Sequence, residues 1–378
     1  MSDNKVNTSI IIPENMLPRD GRFGSGPSKI RKEAVDALAT RASEYLGTSH
    51  RQKTVKLEVA RLRSGLRALF SLPDGYEVVL GNGGATYFWD TAVFSLIERK
   101  SQHLSFGEFS SKFAQSAKMA PFIDDPDVII SEPGTHPVPI ADPSIDLYAL
   151  THNETSTGVA TIISRPASEG IVAVDATSAA GGLNVDPSEF DCYYFAPQKG
   201  FSSDGGLWLA LMSPSAMERA RKISESGRYI PPALDLTIAI DNSLLDQTYN
   251  TPALATIFLM SQQVEWMLSN GGLEFATKRS ATSSQIIYSW AEDSIFASPY
   301  VRDPNMRSAV VATIDFSDEI DAQLVAATLR KNGIVDTEPY RKLGRNQLRI
   351  ATFPAVDPDD VQALVGCIDY VVEHLRKS

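Results

Sequence analysis

Three short segments of this chain are almost wholly apolar, and they restrict its possible folds more than any other feature of the sequence. They are Leu-Tyr-Ala-Leu-Thr at residues 147–151, Ile-Val-Ala-Val at residues 171–174 and Tyr-Tyr-Phe at residues 193–195. A strand with one face in water alternates polar and apolar residues, whereas a strand buried on both faces is apolar throughout. Because these strands alternate with loops and helices, we predict an α/β fold with a mostly parallel sheet.

The pattern changes after Pro252. Two helical patterns, at 253–270 and 273–291, precede a mixture of strands and helices that ends in a helix starting at Pro358. A chain of 378 residues is also too long for one hydrophobic core. We therefore predict an N-terminal arm, a large cofactor-binding domain and a smaller α+β C-terminal domain, at residues 1–20, 21–268 and 269–378.

The charge and the cysteine content exclude several classes of function. The formal net charge is −11, whereas a nucleic acid or an anionic membrane would require a basic surface. Cys192 and Cys367 form no Cys-x-x-Cys pair, so neither a zinc site nor a disulfide framework is indicated. No apolar run approaches the roughly 20 residues that cross a bilayer. These features predict a cytoplasmic enzyme without a nucleic-acid, membrane or metal partner.

Lys199 and Asp175 are the first candidate catalytic residues. Lys199 follows the apolar run at 193–195 and Asp175 closes the run at 171–174, so both lie at the predicted carboxyl edge of the sheet, where α/β folds bind ligands. A lysine removed from water there can lose its proton and form a Schiff base. A carboxylate there can pair with a pyridinium nitrogen. Alone, Lys199 could be a surface lysine and Asp175 a helix cap; together they favour a pyridoxal-phosphate site.

Further segments provide groups that suit a cofactor with a phosphate and a flat ring. Residues 81–86, Gly-Asn-Gly-Gly-Ala-Thr, lie between a strand and a helix, and the N–H groups of a helix N-terminus bind phosphate. By itself the segment is most simply a glycine turn, and it matches only half of the dinucleotide-binding motif because Thr86 replaces its third glycine. Residues 151–158 add short polar groups at the same edge, and Phe109 offers an aromatic face.

Five short motifs follow one another along the chain in an order and spacing that are specific only when they are taken together. They are Phe23-Gly24-Ser25-Gly26-Pro27, Thr48-Ser49-His50-Arg51, Asn153-Glu154-Thr155, Ala196-Pro197-Gln198-Lys199 and Tyr249-Asn250-Thr251-Pro252. From about residue 20 to its C-terminus the chain resembles the phosphoserine aminotransferase family of the class V aminotransferases. This resemblance implies the fold type I, aspartate aminotransferase-like architecture, pyridoxal 5′-phosphate as cofactor, and a homodimer with active sites at the subunit interface.

The resemblance also implies a role for each matched residue. Lys199 would hold the cofactor as a Schiff base and move the substrate's Cα proton, and Asp175 would pair with the ring nitrogen. The other implied cofactor contacts are Ala85, Thr86, Phe109, Thr155 and Gln198, joined by Asn250 and Thr251 of the neighbouring subunit. The implied substrate contacts are Ser25, His50, Arg51 and Arg349, of which Arg349 would bind the α-carboxylate through its planar fork.

One position departs from the family pattern. Residue 86 is Thr, where other members carry an arginine assigned to the substrate phosphate across the dimer. The segment 341–347 is also slightly longer than in those members. Phosphate recognition is therefore expected to depend on Arg341, Lys342 or Arg345, with Arg341 as the first candidate.

The implied reaction is amino transfer from L-glutamate to 3-phosphohydroxypyruvate, and the phosphorylated four-carbon 2-oxo acid of vitamin B6 synthesis is a second candidate acceptor. Three alternatives remain. A cysteine desulfurase needs a histidine beside the lysine, where this chain has Gln198. A nicotinamide-dependent dehydrogenase built on residues 81–86 lacks the acid expected about 20 residues later. A non-catalytic binding protein would have no need to keep Lys199, Asp175 and Arg349.

Overall fold

The computed structural model describes residues 10–376, and a seven-stranded sheet lies at its centre. The strands are β1 (Glu77–Gly83), β2 (Ser101–Ser105), β3 (Asp127–Ile130), β4 (Leu147–Thr151), β5 (Asn153–Glu154), β6 (Val159–Ala160), β7 (Ile171–Asp175), β8 (Cys192–Phe195), β9 (Gly206–Met212), β10 (Ala297–Pro299), β11 (Val311–Phe316) and β12 (Gln347–Ala351). The large sheet has the order β1-β9-β8-β7-β4-β2-β3. Pairs from β8 to β3 are parallel, and β9 is antiparallel to β1 and β8, which confirms the predicted mostly parallel sheet.

Helices cover both faces of this sheet. Within the described residues they are α1 (Lys32–Tyr45), α2 (Lys53–Leu69), α3 (Ala85–Ser95), α4 (Glu108–Met119), α5 (Pro214–Ser224), α6 (Leu236–Leu244), α7 (Leu254–Ser269), α8 (Gly272–Asp293), α9 (Ala322–Lys331) and α10 (Pro358–Arg376). Side chains of α2 and α7 pack on one face, and those of α3, α4, α5 and α6 pack on the other. None of these helices is long and apolar enough to cross a membrane.

Burial on both faces explains the apolar runs of the sequence. In β8, Tyr193 and Phe195 belong to the core under α2 and α7, whereas Cys192 and Tyr194 belong to the core under α3. Successive side chains of a strand point to opposite faces, so a strand between two cores is apolar at every position. The prediction from residues 193–195 is therefore confirmed for the physical reason that motivated it.

A second core surrounds the C-terminal sheet. Strands β10, β11 and β12 form an antiparallel sheet that packs with α8, α9 and α10. Ile12 and Phe23, from the N-terminal segment, are buried in the same core, and Arg19 donates its backbone N–H to Asp360 Oδ1 at 2.8 Å. The predicted domain boundaries stay predictions, and residues 1–9 of the predicted arm lie outside the described residues.

The glycine segment at 81–83 is a strand and not the predicted turn. Strand β1 continues through it and pairs with β9, with Gly81 opposite Trp208 and Gly83 opposite Gly206. A Cβ atom at Gly81 would lie 2.1 Å from the Trp208 ring. Glycine is therefore required here for close packing within a strand, a use that local sequence does not distinguish from a turn.

Candidate active site

A cavity of about 660 Å³ opens at the carboxyl edge of the large sheet. Thr151 and Asp175 end β4 and β7 and contribute to its wall. Gln198 and Lys199, which follow β8, contribute from the next strand along the sheet. Parallel strands bring these chain segments together because their carboxyl ends share one edge. The volume lies within the range of sites for small molecules and cofactors.

Lys199 combines a confined amine with a lowered pKa. Its Nζ donates a hydrogen bond to the backbone oxygen of Ser25 at 2.5 Å. Burial of the ammonium and the positive charge of Arg349 lower the pKa of Lys199 to about 8, against the opposing charges of Asp175 and Glu154. About a tenth of this amine is therefore neutral at pH 7, far more than for an ordinary lysine, and the neutral form is the one that a nucleophile or proton acceptor requires.

This lowered pKa predicts the pH dependence of cofactor capture. Only a neutral amine attacks an aldehyde, so the rate at which cofactor-free protein combines with pyridoxal phosphate should rise with pH and level off above a midpoint of about 8. Rapid-mixing absorbance measures this rate. The substitution Arg349→Gln should move the midpoint upward because it removes a positive charge. A wild-type midpoint near the ordinary lysine value of about 10.4 would contradict the prediction.

Asp175 is buried in the same cavity wall, and hydrogen-bond donors hold both of its carboxylate oxygens. Oδ1 accepts from the backbone N–H of Thr177 at 2.9 Å and from its hydroxyl at 2.6 Å. Oδ2 accepts from the indole N–H of Trp89 at 2.9 Å. Burial raises the pKa of Asp175, and these donors oppose that rise. Oδ1 of Asp175 thus accepts hydrogen bonds from the turn that follows it, whereas Oδ2 accepts one from Trp89 of α3.

The N-terminus of α3 forms another part of the wall. Ala85 and Thr86 begin the helix and line the cavity. The first-turn N–H groups of a helix have no acceptor within it, and this end carries a partial positive charge. The Oε1 atom of Gln198, also at the wall, is buried and makes no hydrogen bond within residues 10–376. The helix N-terminus therefore suits an anion such as a phosphate, whereas the Gln198 oxygen can only accept a hydrogen bond from a donor.

Phe109 and Thr155 also line the cavity. The N–H groups of Phe109 and Ser110 donate to Glu154 Oε2 at 3.1 and 2.9 Å, so a fully buried carboxylate holds the start of α4. The Thr155 hydroxyl donates to Ser178 Oγ at 2.8 Å. Hydrogen bonds thus fix the backbone of Phe109 and the side chain of Thr155, the two predicted ring contacts, at the cavity wall.

Arg349 lies on β12 beside this cavity. Its Nη1 donates to the backbone oxygen of Thr155 at 3.4 Å, and its guanidinium lies 5.3 Å from the ring centre of Tyr340. Its Nε is buried and makes no hydrogen bond to any described residue. The Tyr340 ring also lies 5.9 Å from that of Phe109, so these two rings and Arg349 are neighbours. Arg349 consequently keeps donors available for an anionic group.

Seven of the predicted contacts do not line the cavity of the described chain, and four of these seven, His50, Arg51, Asn250 and Thr251, lie together elsewhere. His50 Nδ1 lies 3.2 Å from the hydroxyl of Thr251, and the Asn82 side chain donates to the Thr251 backbone oxygen at 3.0 Å. Arg51 and Asn250 are exposed beside them. These residues form a cluster near the end of β1, and their predicted roles stay predictions.

The basic segment after Tyr340 is partly occupied by ion pairs. Lys342 pairs with Glu108, and Arg345 pairs with Asp315. Arg341 makes no ion pair within the described part of the chain. It lines a neighbouring groove of about 700 Å³ that also contacts Tyr340. Of the three basic residues considered for phosphate recognition, Arg341 is therefore the one left free.

Trp89, Thr177 and Ser178 line the cavity but were not predicted from the sequence. Trp89 follows Ala85 by four residues, and residues at that spacing share one face of a helix. Helical periodicity could thus have identified it. Thr177 and Ser178 lie immediately after Asp175, in a segment that the sequence indicated only as the start of a helix.

Comparison with known proteins identifies the family. The Aminotransferase class-V family model matches residues 137–337. A phosphoserine aminotransferase from Nocardioides sp. is 61% identical over 374 residues, which cover 98% of this chain and 100% of that protein. Identity at this level over nearly the whole length shows common family membership.

Solved structures agree at the level of the fold. A phosphoserine aminotransferase from Cytophaga hutchinsonii matches with a TM-score of 0.86 at 23% identity, over 93% of this chain and 99% of that one. A pyridoxal-phosphate-bound phosphoserine aminotransferase from Trichomonas vaginalis matches with a TM-score of 0.77 at 18% identity, over 93% and 100%. The predicted fold type I architecture is confirmed. The chain therefore belongs to the phosphoserine aminotransferase family of the class V, pyridoxal-phosphate-dependent aminotransferases.

Proposed function

We propose that this chain transfers the amino group of L-glutamate to 3-phosphohydroxypyruvate in the cytoplasm, giving O-phospho-L-serine and 2-oxoglutarate. The observation that carries the proposal is that Lys199, whose pKa is lowered to about 8, shares a cavity with the buried carboxylate of Asp175. Family membership supports the same reaction. The phosphorylated four-carbon 2-oxo acid of vitamin B6 synthesis is a second candidate acceptor.

The cavity wall fits the three functional parts of pyridoxal phosphate. Lys199 offers an amine to the aldehyde, and Asp175 offers a buried carboxylate to the ring nitrogen. The N-terminus of α3 offers N–H groups to the phosphate. The buried Gln198 Oε1, which lacks a hydrogen bond within residues 10–376, marks a polar position that a ligand can complete. Residues Ala85, Thr86, Phe109 and Thr155 would complete the cofactor site.

The chain's own residues have separate tasks in the proposed reaction. When bound, pyridoxal phosphate serves as a sink for the electrons released at the substrate Cα. Lys199 Nζ would carry the proton from the substrate Cα to the cofactor carbon that bears the amino group in the first half-reaction, and back to Cα of the new amino acid in the second. The Ser25 carbonyl orients this amine. The Asp175 carboxylate would accept the hydrogen bond of the ring N–H. Such proton transfer by a positioned side chain contributes about 10²–10⁴-fold to a rate.

Arg349 is proposed to bind the substrate α-carboxylate. Its guanidinium is half-buried next to Tyr340, and its Nε is free of hydrogen bonds to the described residues. A planar guanidinium can donate two parallel hydrogen bonds to a carboxylate, which fixes the orientation of the amino acid at Cα. Ser25 borders the same space through its contact with Lys199 and is proposed to assist binding.

Absorbance spectroscopy tests the proposed reaction in two halves. The purified protein should absorb visible light because of its lysine-bound cofactor, and L-glutamate should remove this band as the cofactor accepts the amino group. Addition of 3-phosphohydroxypyruvate should then restore the band and yield O-phospho-L-serine. Release of sulfide from L-cysteine would indicate a desulfurase. A colourless protein that pyridoxal phosphate cannot reconstitute would overturn the proposal.

Arg341 is proposed to recognise the substrate phosphate. Lys342 and Arg345 are held by Glu108 and Asp315, which leaves Arg341 as the unpaired cation among the described residues of this segment. The substitution Arg341→Ala should raise the KM for 3-phosphohydroxypyruvate about tenfold, as expected for one lost hydrogen bond to a charged group. The rate of the glutamate half-reaction should stay within about twofold of the wild-type rate. Equal losses in both halves would contradict this assignment.

The active sites are proposed to be shared across a homodimer, because the family resemblance assigns Asn250 and Thr251 to the neighbouring subunit's site and both lie outside the cavity of their own described chain. Mixed dimers of two impaired variants test this arrangement. Lys199→Ala removes the amine, and Thr251→Asp places a negative charge where a phosphate from the partner is expected. After refolding together, the mixed dimer should regain one intact site and measurable activity. Two inactive sites in the mixed dimer would show that each chain uses its own Thr251.

A further inference from the structure

The indole N–H of Trp89 is aimed at Asp175. Trp89 Nε1 donates to Asp175 Oδ2 at 2.9 Å, and the two side chains are 3% and 6% exposed. Both residues line the cavity wall. An N–H donor directed at a buried carboxylate from a different element suggests a purpose beyond packing, because a phenylalanine would fill much of the same space.

The two oxygens of Asp175 depend on different partners. Thr177 holds Oδ1 through its N–H and its hydroxyl, and these bonds belong to the turn that Asp175 itself begins. Trp89 is the partner of Oδ2 and comes from the first two turns of α3. Rotation of the Asp175 carboxylate about its Cβ–Cγ bond is therefore restrained by donors to both oxygens. The same side chain lines the cavity.

A buried carboxylate tends to be protonated, and a neutral carboxyl group would lose the charge attraction that holds a protonated ring nitrogen. Burial raises the pKa of Asp175, and donors from Thr177, Trp89 and the neighbouring Tyr194 hydroxyl lower it. Donors of this kind favour the ionised form. They also reduce the attraction of the carboxylate for a further proton, so that a proton shared with a ring nitrogen stays on the ring.

We propose that Trp89 is a positioning residue for transamination, which orients the Asp175 carboxylate and keeps it ionised against the ring nitrogen of the cofactor. The inference rests on the proposed pairing of Asp175 with that nitrogen. Because Ala85 and Thr86 begin the same helix, α3 would contact the cofactor phosphate at its N-terminus and orient the ring partner four residues later.

Two matched substitutions separate this role from packing. Trp89→Phe removes the N–H and keeps an aromatic ring. Trp208→Phe is the control, since Trp208 is buried in the same hydrophobic cluster but its Nε1 makes no hydrogen bond within residues 10–376. Replacing Trp89 by benzothienyl-alanine, which has sulfur in place of the N–H at nearly the same volume, provides a further variant should the smaller ring impair folding.

The measurements are ¹⁵N NMR of ring-labelled pyridoxal phosphate on the holoenzyme and equilibrium titration of the cofactor-free protein. For both Trp89 variants the ¹⁵N shift should move toward the unprotonated value. The dissociation constant for pyridoxal phosphate should rise about tenfold, because the charge-assisted hydrogen bond between Asp175 and the ring nitrogen would be weakened. Both values should be unchanged for Trp208→Phe.

An Asp175→Asn variant separates the two possible failures. If the ¹⁵N shift changes in Asp175→Asn while both Trp89 variants give the same shift as Trp208→Phe, Asp175 pairs with the ring nitrogen. In that case only the inference about Trp89 is overturned. If the shift in Asp175→Asn equals that of the wild type, the proposed pairing of Asp175 fails and the inference fails with it. A lower kcat in the Trp89 variants with an unchanged ¹⁵N shift would indicate a purely structural effect and would also overturn the inference.

Discussion

Lys199→Ala should lower kcat/KM for transamination by at least about 10⁴-fold, because it would remove both the group proposed to bond the cofactor and the base proposed to move the Cα proton. No second amine or imidazole among the described residues of the lining is placed to compensate. Lys199 is the only lysine among the described residues that line the cavity, and no histidine lines it. The nearby His152 is buried against Tyr193, and burial lowers its pKa to about 4. Steady-state kinetics measure the loss.

Two further variants define what this loss means. Lys199→Arg keeps a positive charge, but a guanidinium stays protonated in proteins, so it should be as inactive as Lys199→Ala. Lys278→Ala removes an exposed lysine from α8 and should leave the kinetics unchanged. Circular dichroism should show the same fold for all three. More than about a tenth of wild-type activity in Lys199→Ala would exclude Lys199 as the proton-transfer group.

The parts of the site that the sequence predicts are those governed by sheet topology. Asp175 and Lys199 each follow an apolar run, and parallel strands bring the ends of such runs to one edge. The proximity of Asp175 and Lys199 could therefore be predicted without knowledge of side-chain conformations. The burial of β8 could be predicted for a similar reason, since a strand that is buried on both faces has an apolar composition that can be recognised in the sequence.

The parts that could not be predicted depend on contacts between residues far apart in the chain. Lys342 and Arg345 have the same chemical character as Arg341, and only the positions of Glu108 and Asp315 distinguish them. The hydrogen bond from Trp89 depends on a side-chain rotamer 86 residues before Asp175. Tertiary contacts of this kind leave no local pattern in the sequence.

Gly26→Ala is expected to inactivate the protein although residue 26 has no reactive group. Gly26 has a backbone φ of +141°, a conformation that residues with a side chain rarely adopt. A Cβ atom there would lie 2.2 Å from Lys199 Nζ and 2.5 Å from Lys199 Cε. The amine must therefore leave its position beside the Ser25 carbonyl. A displacement of about 1 Å at a reacting centre costs about 10²-fold, so kcat should fall at least that far.

A comparison of stability with activity separates displacement of Lys199 from general unfolding. The strained conformation should reduce the free energy of unfolding by about 1–3 kcal/mol, measured by denaturant titration, which leaves most of the protein folded. Gly366→Ala is the matched control, because Gly366 lies within α10 and a Cβ atom there contacts nothing within 4 Å. This control should be fully active and slightly more stable, since alanine favours a helix over glycine by about 1 kcal/mol. Normal activity in Gly26→Ala would mean that Lys199 functions from a second position, and the contact with the Ser25 carbonyl would then have no part in orienting the amine.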